Sequence, residues 1–138
     1  MNSLWHIQQP PGSSICGHCC VAMVLGVRVD KVIQEIGHKH GTKAKELVGV
    51  LRNHGVRCVG RRTAWFGGGP LPQRALLSLS DVYEKGHRRF HWVLKWGAMI
   101  HDPGAYAMHL STNYLPYVNP KVEERNCGMV LTSHLEIF

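Results

Sequence analysis

The spacing of apolar residues changes in the middle of the chain, from helical periodicity to extended runs. A continuous apolar stretch at 16–26 follows a Pro- and Gly-containing segment and is typical of a buried helix. Two further stretches, 30–37 and 42–55, place their apolar residues at helical spacing, with Asp30 and Thr42 as the expected N-caps. The pattern therefore predicts three helices in the first half of the chain.

The second half indicates a sheet. Extended runs rich in β-branched and aromatic residues predict strands at 56–63, 90–95, 98–101, 127–131 and 135–138. The second and third of these flank Trp96-Gly97, which predicts a hairpin. Residues 65–72 contain three consecutive glycines and predict a loop, whereas 73–86 fit helix or strand. We expect a single α+β domain over 1–138, with an N-terminal helical part packed on a C-terminal antiparallel sheet.

Composition indicates the charge of a partner, the state of the cysteines and the cellular location that we expect. The 138 residues carry a net charge of +7, and residues 1–69 hold nine of the basic but only three of the acidic side chains. This imbalance favours an acidic partner. Five cysteines, two of them adjacent at Cys19-Cys20, do not form the pattern of a disulfide framework. With no signal-peptide pattern and no apolar run of about 20 residues, we expect a cytoplasmic protein without a membrane segment.

Cys16 is the strongest candidate for chemistry, because it begins the first predicted helix. A thiol at a helix N-terminus faces unpaired backbone N–H groups and the positive end of the helix dipole. Both favour the thiolate and lower the thiol pKa. Cys16 is therefore a candidate nucleophile.

A cysteine nucleophile needs a base and, ideally, a group that orients the base. His91 begins one strand of the predicted hairpin and Asp102 follows the other, so the two side chains are expected to meet. Gln8 or Gln9, upstream of Cys16, is expected to donate its side-chain amide to an oxyanion beside the Cys16 backbone N–H.

Taken together, these residues resemble the C39-like branch of the papain-like cysteine peptidases. The similarity rests on a Gln before Cys16-Gly17 at the head of an Ala-Met-Val-Leu helix, on Gly41-Thr42 with its helix, on His91-Trp92-Val93 and on Asp102-Pro103-Gly104. The resemblance implies a papain-like fold and a peptidase that cleaves peptide or isopeptide bonds without a cofactor or metal. It implies Cys16 as nucleophile, His91 as general base and acid, Asp102 as orienter and Gln9, with Gln8 still possible, as oxyanion donor. The expected substrate-binding residues are Gln8, Gly17, Trp92, Arg61 and Arg62, the two arginines favouring an acidic peptide or protein.

Other readings of the same residues stay open at this point. Cys16-Gly17-His18-Cys19 looks like the active-site tetrapeptide of protein disulfide isomerases, which would make the chain a thiol-disulfide oxidoreductase. The scaffold could instead be an inactive binding module whose basic half captures an acidic protein or nucleic acid. Zinc is disfavoured because no second paired ligand set accompanies the cysteines. Nucleic acid is disfavoured as a partner because a solvated basic face is the more common explanation of basic runs such as Arg61-Arg62 and 87–89.

Overall fold

The computed structural model describes residues 4–81, 90–104, 108–121 and 129–138. These residues form an α+β structure of four helices and a six-stranded antiparallel sheet with strand order β1-β6-β2-β3-β4-β5. The helices are α1 (Cys16–Leu25), α2 (Val29–Ile36), α3 (Ala44–Asn53) and α4 (Ser111–Val118). The strands are β1 (Thr63–Ala64), β2 (Arg74–Asp81), β3 (Phe90–Trp96), β4 (Met99–His101), β5 (Met108–Leu110) and β6 (Met129–Glu136).

The three predicted helices are present, but both of the predicted N-caps are wrong. Helix α2 begins one residue before Asp30, which lies in its first turn. Helix α3 is capped by Lys43 rather than Thr42. The Lys43 backbone N–H donates to Glu46 Oε1 at 2.9 Å, so the glutamate satisfies an amide that the helix itself leaves unpaired.

The hairpin prediction is confirmed by the pairing of β3 with β4, in which Trp96 lies opposite Met99. The strand predicted at 56–63 is wrong for most of its length, because only an isolated bridge from Cys58 to Ile137 and the two-residue strand β1 pair there. The ambiguous stretch 73–86 contains β2, which pairs with β3 and β6 on its two sides. Residues 82–89, 105–107 and 122–128 lie outside the described residues, and with them the basic run 87–89 and the start of the strand predicted at 127–131.

The last strand is a single element where the sequence predicts two. Ser78 pairs with Ser133, but the next residue of β2, Leu79, pairs with Leu131. Thr132 is therefore an extra residue in a β-bulge, which reverses the side-chain alternation along the strand. Leu131 and Leu135 consequently face opposite sides of the sheet, and the sequence pattern breaks between them.

The sheet is covered on both faces. One core joins α1, α2 and α3 to Leu76, Trp92, Leu94 and Leu135. The other joins Tyr114 and Val118 of α4 to Leu77, Leu79, Val93 and Leu131. Helix α4 and strand β5 are not predicted from the sequence, so the described residues form three layers rather than two. Among these helices, none has the length and apolar character to cross a membrane.

Candidate active site

Cys16 is the first residue of α1, where the chain turns out of the Pro10-Pro11-Gly12 segment. Its side chain is 6% exposed, and the Trp92 backbone N–H points at Sγ from 3.5 Å. Burial raises the pKa of the thiol, but a hydrogen bond from His91, the charge of that ring and the N–H groups of Trp92 and Gly17 outweigh it, so that the pKa is lowered. The site therefore favours a thiolate at this position.

His91 lies between the thiol and a carboxylate. Its Nε2 is 2.6 Å from Asp102 Oδ1, which leaves Nδ1 as the ring nitrogen for the hydrogen bond to Cys16. Burial alone would lower the pKa of His91, but the hydrogen bonds to Asp102 and Cys16, together with their charges, raise it to about 10. The three side chains therefore form a Cys–His–Asp row in which a thiolate–imidazolium pair is favoured.

Asp102 is buried, and both of its carboxylate oxygens accept hydrogen bonds. In addition to His91, Asp102 Oδ1 accepts the Gly104 N–H at 2.8 Å, and Oδ2 accepts the Tyr114 hydroxyl at 2.7 Å. Burial raises the pKa of Asp102, but these donors and the charge of His91 hold it below its usual value. The carboxylate thus remains ionised and fixed in one orientation next to the ring.

Tyr114 was missed by sequence reasoning. It lies on α4, which contains Pro116, and a proline within an eight-residue stretch argues against a helix. The one sequence pattern that indicates this helix is the spacing of Tyr114 and Val118, which are four residues apart. The structure shows that both are buried. That spacing alone would not have linked Tyr114 to Asp102.

The two glutamines lie on the segment that precedes Cys16, and both amides already have partners. Gln9 Nε2 donates to Ser13 O at 2.7 Å and approaches Ser13 Oγ at 3.4 Å. Gln8 instead donates to the Gly104 carbonyl and accepts from His6. Gln8 is therefore held at the turn that follows Asp102, whereas Gln9 is held within the turn that leads into Cys16.

Gly17 and Trp92 lie beneath the site. A Cβ on Gly17 would collide with Thr42 Oγ1 and crowd Leu47 and Trp92. The Trp92 indole is 4% exposed and donates from Nε1 to Thr42 O at 3.2 Å. Both residues hold α1, the loop before α3 and strand β3 together, and the buried indole offers little surface for a substrate to contact.

Arg61 and Arg62 are exposed and immediately precede β1. Strand β1 is separated from β3 by β6 and β2, which corresponds to about 14 Å across the sheet. The structure therefore does not bring the two arginines into the cluster around Cys16.

Cys19 and Cys20, the other two cysteines of α1, differ from Cys16. Cys19 is fully buried within α1, and burial together with the charge of Cys16 raises its pKa to about 12. Cys20 is buried as well, and burial raises the pKa of its thiol well above the ordinary value. A resolving thiol in a dithiol motif has to be reachable and ionisable, which these positions disfavour. Across the described ranges, no three His, Cys, Asp or Glu side chains are grouped so as to hold a metal ion.

Comparison with known proteins adds no relative: no family model, curated protein or solved structure matches the chain. The arrangement of side chains is therefore the main basis for a functional assignment.

Proposed function

We propose that this chain is a cysteine peptidase of the papain-like, C39-like type, which hydrolyses a peptide or isopeptide bond. The observation that carries the proposal is the row Cys16–His91–Asp102, in which the ring is hydrogen-bonded on one side to the thiol and on the other to the carboxylate. The lowered thiol pKa and the raised imidazole pKa support the same assignment.

The reaction follows from these groups in two half-reactions. Cys16 thiolate attacks the substrate carbonyl carbon, and the carbonyl electron pair moves to oxygen. When the tetrahedral intermediate collapses, His91 gives its proton to the leaving nitrogen, the C–N bond breaks and a thioester remains. Water then attacks the thioester while His91 accepts a proton from it. The carboxylic acid leaves, and the thiolate–imidazolium pair is restored.

The oxyanion has two candidate donors. The backbone N–H of Cys16, at the first position of α1, has no acceptor within its own helix. Gln9 Nε2 is the second, because its 3.4 Å approach to Ser13 Oγ is long for a hydrogen bond and can give way to a charged oxygen. Each such donor contributes about 2.7–4 kcal/mol to transition-state stabilisation in well-studied hydrolases.

The experiment measures iodoacetamide labelling of each cysteine against pH by mass spectrometry, together with cleavage of a synthetic peptide pool. We expect Cys16 to be labelled well below pH 7, and labelling to slow at least tenfold in His91→Ala, because the imidazolium no longer stabilises the thiolate. Cys16→Ala should abolish cleavage while the circular-dichroism spectrum is unchanged. Cys58→Ala and His54→Ala are matched controls outside the row. In both, Cys16 should be labelled and the peptide pool cleaved at the wild-type rate.

Two results would overturn the proposal. Full cleavage by Cys16→Ala or by His91→Ala would remove the row from the chemistry. Ordinary, slow labelling at every cysteine, combined with salt-sensitive binding to polyglutamate that is lost in an Arg61→Glu, Arg62→Glu variant, would favour a binding module instead.

A further inference from the structure

The segment before Cys16 is tied to the turn that carries Asp102. Its Gln9 backbone N–H donates to Pro103 O at 2.8 Å, and the Gln8 amide donates to Gly104 O. His6 stacks on the His101 ring with 5.5 Å between centroids and brings the two Nδ1 atoms to 3.3 Å. Residues 6–9 thus form a strap across the end of β4.

The contacts of the strap determine where its protons lie. A carbonyl oxygen only accepts, so Gln8 must present Nε2 to Gly104 O and therefore Oε1 to His6. His6 then donates from Nε2 at 2.9 Å, and in the neutral ring Nδ1 is left as an acceptor. The proton between the two rings consequently belongs to His101 Nδ1.

Three of these bonds form a directional chain that ends on Gly104: it runs from His101 to His6, from His6 to Gln8 and from Gln8 to the Gly104 carbonyl. The preceding peptide group, between Pro103 and Gly104, accepts the Gln9 N–H at its carbonyl and donates its N–H to Asp102 Oδ1. Gly104 is also closely packed against the site, since a Cβ on it would lie 3.0 Å from Asp102 Oδ1 and 3.1 Å from His91 Cε1. A shift of this turn therefore moves the groups that orient His91.

We propose that His6, Gln8 and His101 are positioning residues for the Asp102–Gly104 turn, and that the strap leaves the turn when both rings are protonated. The proposal deepens, and rests on, the peptidase function argued above. One added proton can be accepted, because a cationic His6 can donate from Nδ1 to the other tautomer of His101. A second proton places two N–H donors against each other, and the bond between the rings is then lost.

The surroundings determine the direction of the pH effect. His101 is 3% exposed, and burial followed by the charge of His6 lowers its pKa. Because the pKa of His101 is lowered, this ring stabilises the contact between the strap and the Asp102–Gly104 turn fully above the unfolded value of 6.5. That stabilisation is lost as pH falls through the folded value.

Within the part of the chain that the structure describes, the charged groups near His6 and His101 do not offset this loss. Asp102 is already bonded to His91, Gly104 and Tyr114. Arg28 and Asp30, which line the same groove as His6, pair with each other at 3.1 Å.

The test is hydrogen–deuterium exchange of the Gln9 and Gly104 amides in the whole chain, measured at several pH values for the wild type, His6→Phe and Gln8→Met. Phenylalanine keeps the stacked ring but removes its nitrogens, and methionine keeps the length of Gln8 but removes its amide. Each variant removes two hydrogen bonds of the strap. We expect exchange at both amides to be at least about three- to tenfold faster in each variant at pH 7.5, since the net loss of even one hydrogen bond gives that factor. His40→Phe, a stacked histidine outside the strap, should exchange like the wild type.

The outcomes separate the strap from the catalytic proposal. Between pH 7.5 and 5.5, wild-type protection at both amides should fall beyond the intrinsic pH dependence of exchange. His6→Phe should show a smaller extra fall, because the repulsion between two cationic rings is removed while the burial of His101 remains. Cys16 labelling should also slow in His6→Phe, because His91 is held less firmly. Unchanged exchange in both variants, or wild-type protection that does not respond to pH beyond the intrinsic dependence, would overturn the proposed role of the strap. Slow Cys16 labelling in the wild type with the expected exchange pattern would overturn the peptidase assignment alone.

Discussion

Removing the Tyr114 hydroxyl is the sharpest test of how the carboxylate is held. Tyr114→Phe deletes one oxygen and leaves the ring, which is packed against the core on the α4 face of the sheet. That oxygen donates to Asp102 Oδ2 at 2.7 Å, with the donor 6% and the acceptor 2% exposed. The substitution therefore tests one buried, charge-assisted hydrogen bond with little change in packing.

The magnitude follows from the type of bond. A hydrogen bond to a charged group contributes about 1.5–3 kcal/mol, and we take about 2 kcal/mol as the expected loss in the free energy of unfolding. For 138 residues, an unfolding entropy of about 2.1 cal/mol/K per residue converts this loss into a fall in Tm of about 7 °C.

The assay is thermal and urea unfolding at pH 7, with Tyr117→Phe as the matched control on the same helix. Tyr117 is 50% exposed, so its variant should stay within about 0.5 kcal/mol of the wild type. Asp102 has a lowered pKa, so its contribution to stability is present above its unfolded value of 3.8 and is lost as pH falls through the folded value. The difference between the wild type and Tyr114→Phe should therefore be full at pH 7 and shrink below about pH 4.

A Tm within 1 °C of the wild type at pH 7 would refute the reasoning for Tyr114→Phe. An equal loss in Tyr117→Phe would refute it as well, because the effect would then belong to the helix rather than to the bond with Asp102.

Two further predictions concern the packing around Gly17 and the protonation of His91. Gly17→Ala places a Cβ against Thr42, Leu47 and Trp92 and should cost about 1–3 kcal/mol in urea unfolding. By contrast, Gly49→Ala, where a Cβ would meet nothing within 4 Å inside α3, should stabilise by about 0.5–1 kcal/mol. Equal effects of the two substitutions would contradict the crowding argument. The acylation rate, measured in single-turnover experiments on a cleaved peptide, should fall as pH rises through about 10, because His91 then loses the proton that the leaving nitrogen requires. A rate that continues to rise past that pH would exclude His91 as the acid.

The parts of the site that the sequence predicts are those set by short-range geometry. The turn at Trp96-Gly97 determines which residues of β3 and β4 lie opposite each other, so the meeting of His91 and Asp102 follows from the hairpin. Likewise, the apolar run that begins at Cys16 predicts the start of α1. These features depend on few residues close together in the chain.

The parts that could not be predicted depend on long-range packing. Strand β2 carries apolar side chains on both faces, with Leu76 and Leu77 adjacent, so its sequence lacks the alternation that marks a strand. The bulge at Thr132 hides the continuity of β6 in the same way. Tyr114 and the strap at 6–9 contact the Asp102 turn from elements with no periodic signal, and only the fold shows that they meet.

The three-layer arrangement has a consequence for how much of the fold the site requires. The thiol is carried by the helices on one face of the sheet, the ring lies on the sheet itself, and the carboxylate is secured by α4 on the other face. A partly folded chain that lacks either outer layer has an unpaired thiol or a loosely held carboxylate, and so a weak nucleophile. In the proposed peptidase, full activity would thus require both outer layers to be in place on the sheet.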